Sequence, residues 1–302
     1  MTKFTRSTLL AAILLVELLT TLVPGWAQTR GETAPDVTPD ATAQGRSTMD
    51  RWEFTLDGRV GAPIGWLRVG EFPPGGATAG GAPGTRLRLS DAGIHVSETL
   101  EGSVALHFTP RDAVRASLLY SFLRADSAQD RSVVYNGEEF RSGHLHTNAD
   151  FSRFSLAYER ALLSSPAALL VGSLGLSYVY FNPTLSGHGH RNSEDFYLQE
   201  LPVPIVGLRW DQPLGEHWQM RGAVSGGGLP RVDSLRQEGG TVYLQQSHAD
   251  VAAGLVYRWG RAMELEFGYH FSYFFQHEKS REDDNLFELI DNGVRARFLL
   301  RF

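Results

Sequence analysis

The chain of 302 residues has no cysteine. Disulfides, thiolate metal sites, cysteine nucleophiles and a lipid anchor on an N-terminal cysteine are therefore excluded. Lysine is nearly absent too: Lys3 and Lys279 are the lysines among 28 basic residues, and no Lys/Arg run occurs. With a net charge of −6, the chain lacks the basic footprint of a nucleic-acid partner, and none is expected. Outside the N-terminus no stretch approaches the ~20 consecutive apolar residues that a spanning helix needs, which argues against a helical membrane protein.

What is present in quantity is glycine, 32 residues, and aromatic rings, with 17 Phe and 10 Tyr. Gly and aromatics together suit curved sheets with interfacial girdles. Residues 1–27 read as a secretory signal peptide. Lys3 and Arg6 form its positive end, and Leu9 to Val23 its apolar core, interrupted by Glu17. Gly25 and Ala27 are the small residues before the expected cut. Residues 28–50, rich in Thr, Ala, Asp, Pro and Gly, have little to bury and read as a disordered periplasmic lead-in.

From Arg51 on, runs of about ten residues alternate apolar and polar, the period-two signal of strands. In the last run Val294, Ala296, Phe298, Leu300 and Phe302 share one face, while Arg295, Arg297 and Arg301 share the other. In the run before it Met263, Leu265, Phe267, Tyr269, Phe271 and Tyr273 oppose Glu264, Glu266, Gly268, His270 and Ser272. An apolar face to lipid and a charged face to a lumen is the transmembrane-barrel arrangement. The parity of the alternating runs assigns Asp57, Arg59, Glu101, Arg115, Arg153, Glu159, Arg209, Arg221, Asp250, Arg258, Glu264, Glu266, Arg295, Arg297 and Arg301 to the interior. Glu264 and Glu266 are expected to pair with the arginines of the final strand.

Short connections are expected at Thr109–Ala113, Leu162–Ala167, Asp211–Glu216 and Gly260–Ala262. Long ones are expected at Glu71–Ser97, Ala125–Asn148, Thr184–Glu200, Leu229–Thr241 and Gln276–Leu289. That alternation gives an all-β, antiparallel up-and-down transmembrane barrel of about ten strands over residues 51–302, with eight and twelve left open. Residues 51–70 read either as one strand or as a hairpin broken near Pro63.

The chain ends Gly293–Phe302 as GVRARFLLRF. An amphipathic last strand closed by Phe298, Leu300 and Phe302 resembles the signal that Gram-negative outer-membrane barrels present to the barrel-assembly machinery. Gly84–Gly93 and Leu100–Arg111 are similar to small, porin-like proteobacterial barrels. The resemblance implies the outer membrane as location. Its implied partners are outer-membrane lipid and lipopolysaccharide, plus periplasmic chaperones and the assembly machinery during biogenesis. It brings no catalytic residues, and a monomer is expected.

Two histidine pairs stand out. His144 and His146, and His188 and His190, have spacing that zinc or copper accepts, but spacing supplies no third ligand. No metal or other cofactor is expected. His248 with Asp250, and His270 with Ser272, fall on interior faces and invite a relay reading; no nucleophile motif accompanies them. The expected function is a structural or surface-interaction role with a lumen plugged by charged side chains. The alternatives are a narrow pore for small solutes and a lipid-directed hydrolase.

Overall fold

The computed structural model describes residues 51–72, 84–187, 189–193, 201–237 and 241–302. The expected signal peptide and lead-in lie outside the described residues, as does His188. Ten long strands form one wall: β1 (Trp52–Gly61), β2 (Ser97–His107), β3 (Asp112–Phe122), β4 (Phe151–Ser164), β5 (Leu169–Phe181), β6 (Val203–Pro213), β7 (Trp218–Gln237), β8 (Thr241–Trp259), β9 (Met263–Lys279) and β10 (Asp284–Arg301). Each pairs antiparallel with its sequence neighbour, and β10 pairs back onto β1, so the sheet closes on itself. Closure removes the free edges that an open sheet would present.

The closing seam runs from Glu53 opposite Arg301 to Gly61 opposite Gly293. Phe302 extends it by one residue. Its N–H donates to the Trp52 carbonyl at 3.1 Å, and its carbonyl accepts from the Trp52 N–H at 3.0 Å. Its ring stacks on Phe54 at 5.3 Å between centroids. Each ladder bond contributes about 1 kcal/mol net, and the ring pair adds about 0.5–1.5 kcal/mol. Deleting Phe302 is therefore expected to lower the amount of folded barrel in the outer-membrane fraction several-fold. Heat-modifiable electrophoretic mobility measures this directly; normal levels of normally migrating protein would refute it.

Beyond Gly61 the chain is interrupted at Pro63, which has no N–H for the ladder. It resumes at Ile64–Arg68 against β10. Gly61 faces Gly293 and Ile64 faces Ile290 in unbroken register, so residues 51–70 are one interrupted strand rather than a hairpin. Leu87–Arg88 then pairs back on Leu67–Trp66.

Strand lengths differ around the wall. β1, β2, β3 and β6 have 10, 11, 11 and 11 residues, near the ~9–11 that cross a bilayer when tilted. β7 to β10 have 20, 19, 17 and 18. The long connections expected at Leu229–Thr241 and Gln276–Leu289 are thus corrected. They are mostly strand: the alternation persists past the membrane-spanning length, and the polar residues there are strand residues outside lipid. Of the other three long connections, Glu71–Ser97 returns to the wall at Leu87–Arg88, and the described strands of the other two lie outside it. Arg124–Gln129, Gly143–Asn148, Thr184–Gly187 and His190–Ser193 build a small separate sheet. Val133–Tyr135 and Glu138–Phe140 form a hairpin. Its two-residue turn, Asn136 (φ 49°) and Gly137 (φ 71°), needs positive φ at both positions, which Asn-Gly supplies at low cost.

The outer face is apolar throughout its middle, with Leu100, Leu118, Leu156, Leu174, Val206, Leu255 and Phe267 all exposed. Trp52, Phe108, Tyr158, Trp210, Trp218, Trp259 and Phe302 ring the end bearing the short turns; Tyr120, Tyr180 and Tyr269 lie toward the loop end. In water such a surface would be untenable; against lipid it is the stable one. Among the described residues no helix is long and apolar enough to cross a membrane.

Candidate functional site: the charged lumen

The interior divides into two zones along the barrel axis. Near the short turns it is ionic. Arg221 of β7 donates from Nε to Asp211 at 2.6 Å, from Nη2 to Glu264 at 2.9 Å and from Nη1 to Glu266 at 3.2 Å. Arg301 of β10 joins Glu264 at 2.7 Å and Glu53 at 3.2 Å. Arg115 of β3 joins Glu53 and Glu159, both at 2.6 Å. Arg209 of β6 lies 3.4 Å from Asp211 and 3.9 Å from Glu159. Each carboxylate of this layer is shared by at least two guanidinium groups, and the network runs around the wall from β10 through β1, β3 and β6 to β9.

One step further in, Arg59 donates to Asp57 at 3.2 Å and also pairs with Glu101. Arg295 pairs with Asp57, and Arg153 donates to Asp250 at 3.0 Å. Glu266 lies 3.8 Å from Arg295 and 3.9 Å from Arg297. The expected pairing of Glu264 and Glu266 with the last strand is therefore met through Arg301, Arg295 and Arg297; Arg221, reaching both acids from β7, was not anticipated.

Of the fifteen residues assigned to the lumen from the sequence, fourteen lie in these layers. Arg258 is corrected. It stands at the rim, where its Nη2 donates to the carbonyls of Glu216 at 3.1 Å and Gly215 at 3.4 Å; it satisfies a turn instead of an acid. Three acids escaped the sequence reading. Glu53 has interior parity but stood outside the list, Asp211 fell in an expected turn, and Asp291 fell between the expected loop and the last alternating run.

Asp291 organises a third layer. It accepts from Ser97 Oγ at 2.6 Å and lies 3.3 Å from His270 Nε2. A Cβ on Gly61 would come within 2.2 Å of Asp291 Oδ1, so only glycine leaves room for the carboxylate there. Here the acid sits between the hydroxyl and the imidazole. A nucleophile–base pair needs the imidazole between the other two, so this trio is a structural clamp. His248 contacts Gln246 at 2.8 Å and faces Phe274 edge-on at 5.1 Å; it marks the boundary of the ionic zone.

Past that boundary the interior holds a large apolar cluster beside the buried Gln246, Gln276 and Asn285. Phe181 stacks on Phe287 at 4.3 Å, and Phe151 on Phe274 at 5.4 Å; Phe274 and Phe287 meet at 5.7 Å. Leu289, Leu185, Leu145, Leu123, Tyr135 and Phe140 continue the same buried cluster into the loop layer. The loop histidines lie outside it. His146 Nδ1 is 3.0 Å from Asp126, and His190 Nδ1 is 3.6 Å from Glu138. Among the described residues no group of three or more His, Asp or Glu is placed to hold a metal.

Charges facing inward, apolar residues facing outward, closure through the terminal residue and aromatic rings toward both ends together decide the class. The chain is an outer-membrane β-barrel. The sequence matches no protein-family model, and it matches no curated protein. Among solved structures it is similar to the outer membrane protease OmpT from Escherichia coli, at 13% identity and a TM-score of 0.47, covering 84% of this chain and 98% of that one. It is also similar to an outer membrane channel from Pseudomonas putida F1, at 11% identity and a TM-score of 0.40, covering 88% and 100%. The β domain of the Bordetella autotransporter BrkA gives 12% identity and a TM-score of 0.39, covering 84% and 99%. In the orientation common to outer-membrane barrels the short turns are periplasmic and the loops extracellular.

Proposed function

We propose that this barrel is non-conducting and serves a structural or surface-interaction role as a monomer in the outer membrane. The observation that carries the reading is the buried phenylalanine cluster of Phe151, Phe181, Phe274 and Phe287, set across the extracellular half of the lumen above the shared ion pairs. An apolar constriction of this kind excludes hydrated ions, and a narrow barrel fills readily with its own side chains. The charged layer below supports the same reading, since its carboxylates are nearly all engaged.

The surface role rests on the outward face near the extracellular rim. Arg86 and Arg88 both lie against the Trp66 ring, at 4.4 and 4.9 Å from its centroid. Arg86 is 3.6 Å from Glu288; Arg88 is exposed and pairs with no acid among the described residues. Guanidinium groups held over an indole near exposed Ile64 suit the phosphates of an outer-leaflet glycolipid. A pore for small solutes and a lipid-directed hydrolase are the readings this one displaces.

Planar-bilayer recording tests it. The purified, refolded barrel is expected to give no steady conductance over the range of voltage at which porins stay open. A stable ohmic current from the unaltered protein would overturn the closed-lumen reading.

A further inference from the structure

Most arginines of the lumen are held by carboxylates at hydrogen-bonding distance; Arg297 is not. Among the described residues its guanidinium makes no hydrogen bond, and its Nε is buried without a partner. The nearest acid, Glu266, is 3.9 Å away and is already engaged by Arg221 at 3.2 Å. Six arginines, Arg297 among them, line the lumen space around it against four carboxylates, Asp57, Glu101, Glu159 and Asp250. A buried guanidinium left in that state is costly unless something else answers it.

Arg297 lines a cavity of about 230 Å³ in the middle of the lumen. The same cavity is lined by Arg209 and Arg295, whose buried Nε atoms make no hydrogen bond and lie 3.4 Å from Asp211 and 3.8 Å from Glu266, and by Thr55, whose hydroxyl also makes none. The wall across from Arg297 carries Ser173, Gly207, Ala223 and Ser225, whose small side chains are what leaves the space. One water needs roughly 10–15 Å³ of such space, so the cavity accommodates an ion with part of its hydration shell. Every polar atom named here as lacking a hydrogen bond is a donor or a hydroxyl.

We propose that the central lumen cavity binds a small inorganic anion, a halide or an oxyanion such as phosphate, held by Arg297 with Arg209, Arg295 and the Thr55 hydroxyl. The anion supplies the negative charge that the carboxylate network withholds from Arg297. Its binding makes barrel stability depend on anion identity as well as on ionic strength. The inference stands on the cavity alone and holds for a closed or an open lumen.

Two measurements test it. The protein is refolded in detergent with phosphate titrated at constant ionic strength, a bulky sulfonate making up the balance. The unfolding midpoint of the unaltered barrel should rise with phosphate and saturate, as single-site linkage requires; Arg297→Met should show no such rise, and Arg297→Lys a weaker one. Equal phosphate dependence in the unaltered protein and Arg297→Met, or none in the unaltered protein, overturns the proposal. Crystals of the unaltered barrel refolded in sodium bromide decide the matter even if the Met variant does not fold. An anomalous peak beside the Arg297 guanidinium is expected, whereas bromide confined to the outer surface, with water alone in the cavity, overturns the site. Conductance is read separately: a conducting barrel that holds bromide removes the closed-lumen reading and keeps this one.

Discussion

Arg221→Met is expected to destabilise the barrel by about 3–5 kcal/mol, the usual cost of removing one partner from a buried ion pair. The side chain lost is the hub of the periplasmic layer, donating to Asp211, Glu264 and Glu266 from three different nitrogens. Met keeps much of the volume and none of the donors, so the effect reports charge and hydrogen bonding instead of a void. Three carboxylates then face each other across the lumen. Glu264 retains Arg301 at 2.7 Å, but Asp211 retains only Arg209 at 3.4 Å, and Glu266 only Arg295 and Arg297 at 3.8 and 3.9 Å. The barrel can respond by drawing water into the neighbouring cavity, which limits the loss to the range given. Glu282→Gln, in the tip between β9 and β10, is the control and should change stability by less than about 0.5 kcal/mol. Urea unfolding in detergent micelles, followed by electrophoretic mobility, separates the two. If Arg221→Met unfolds at the same urea concentration as Glu282→Gln, the ionic layer is wet enough that its pairs carry little stability.

Much of that layer was legible in the sequence because a strand writes its two faces in alternate residues. A charge that recurs at every second position opposite Leu and Phe in a membrane barrel has only the lumen to face. Parity alone therefore brought Asp57, Arg59, Glu101, Arg115, Arg153 and their partners to the same side, and the ends of β9 and β10 gave the pairing of Glu264 and Glu266 with the last strand. The failures have a common cause: parity is read from the strand, so it goes astray where a strand was taken to have stopped. Asp211 was missed because it was placed in a connection, and Asp291 because it lay between the end of the expected loop at Leu289 and the start of the last alternating run at Val294. Arg258 was placed in the network because parity says which wall a residue faces but not whether the rim offers a backbone carbonyl first. The Asn136–Gly137 turn between two short apolar-edged runs was a readable hairpin signal, passed over inside what looked like a polar loop.

The apolar half of the lumen was illegible for a different reason. Along β9 and β10 the interior parity passes from Glu266, Gly268 and His270 to Phe274, and from Arg295 back to Leu289 and Phe287. The inward face thus gains buried rings and leucines without any break in the strand, with Gln276 and Asn285 buried beside them. A pattern reader meeting Phe274 and Phe275 together, or Leu289 and Ile290 together, sees the alternation dissolve and ends the strand. What has changed is the solvent. Below the rim the outer face meets lipid and must be apolar; above it the outer face meets water, and the interior becomes the place to bury rings, as in a soluble barrel. Two-sided apolar pairs at such positions mark the crossing of the membrane surface.

Phe287→Ala is the substitution that probes this upper zone. Phe287 is fully buried, and its ring lies 4.3 Å from that of Phe181, 5.7 Å from Phe274 and 6.3 Å from Phe151. Truncation removes the ring that all three share, and phenylalanine-to-alanine changes in well-packed cores cost about 3–5 kcal/mol. The strands beneath are held independently by the closed ladder, so part of that cost is expected to appear as local opening of the extracellular end rather than as global unfolding. Amide hydrogen exchange should accordingly quicken at Leu145, Leu185 and the upper part of β9, while Glu53 to Asp57 on the closing seam stays protected. Adding Phe274→Ala removes the second ring of the stack and leaves the ionic layer as the remaining obstacle. If the apolar cluster is what keeps the barrel silent, the double variant conducts in planar bilayers and the unaltered protein does not. A double variant that is well folded and still silent would move the barrier down to the arginine–carboxylate layer. Arg221→Met introduced on top of it should then open the path.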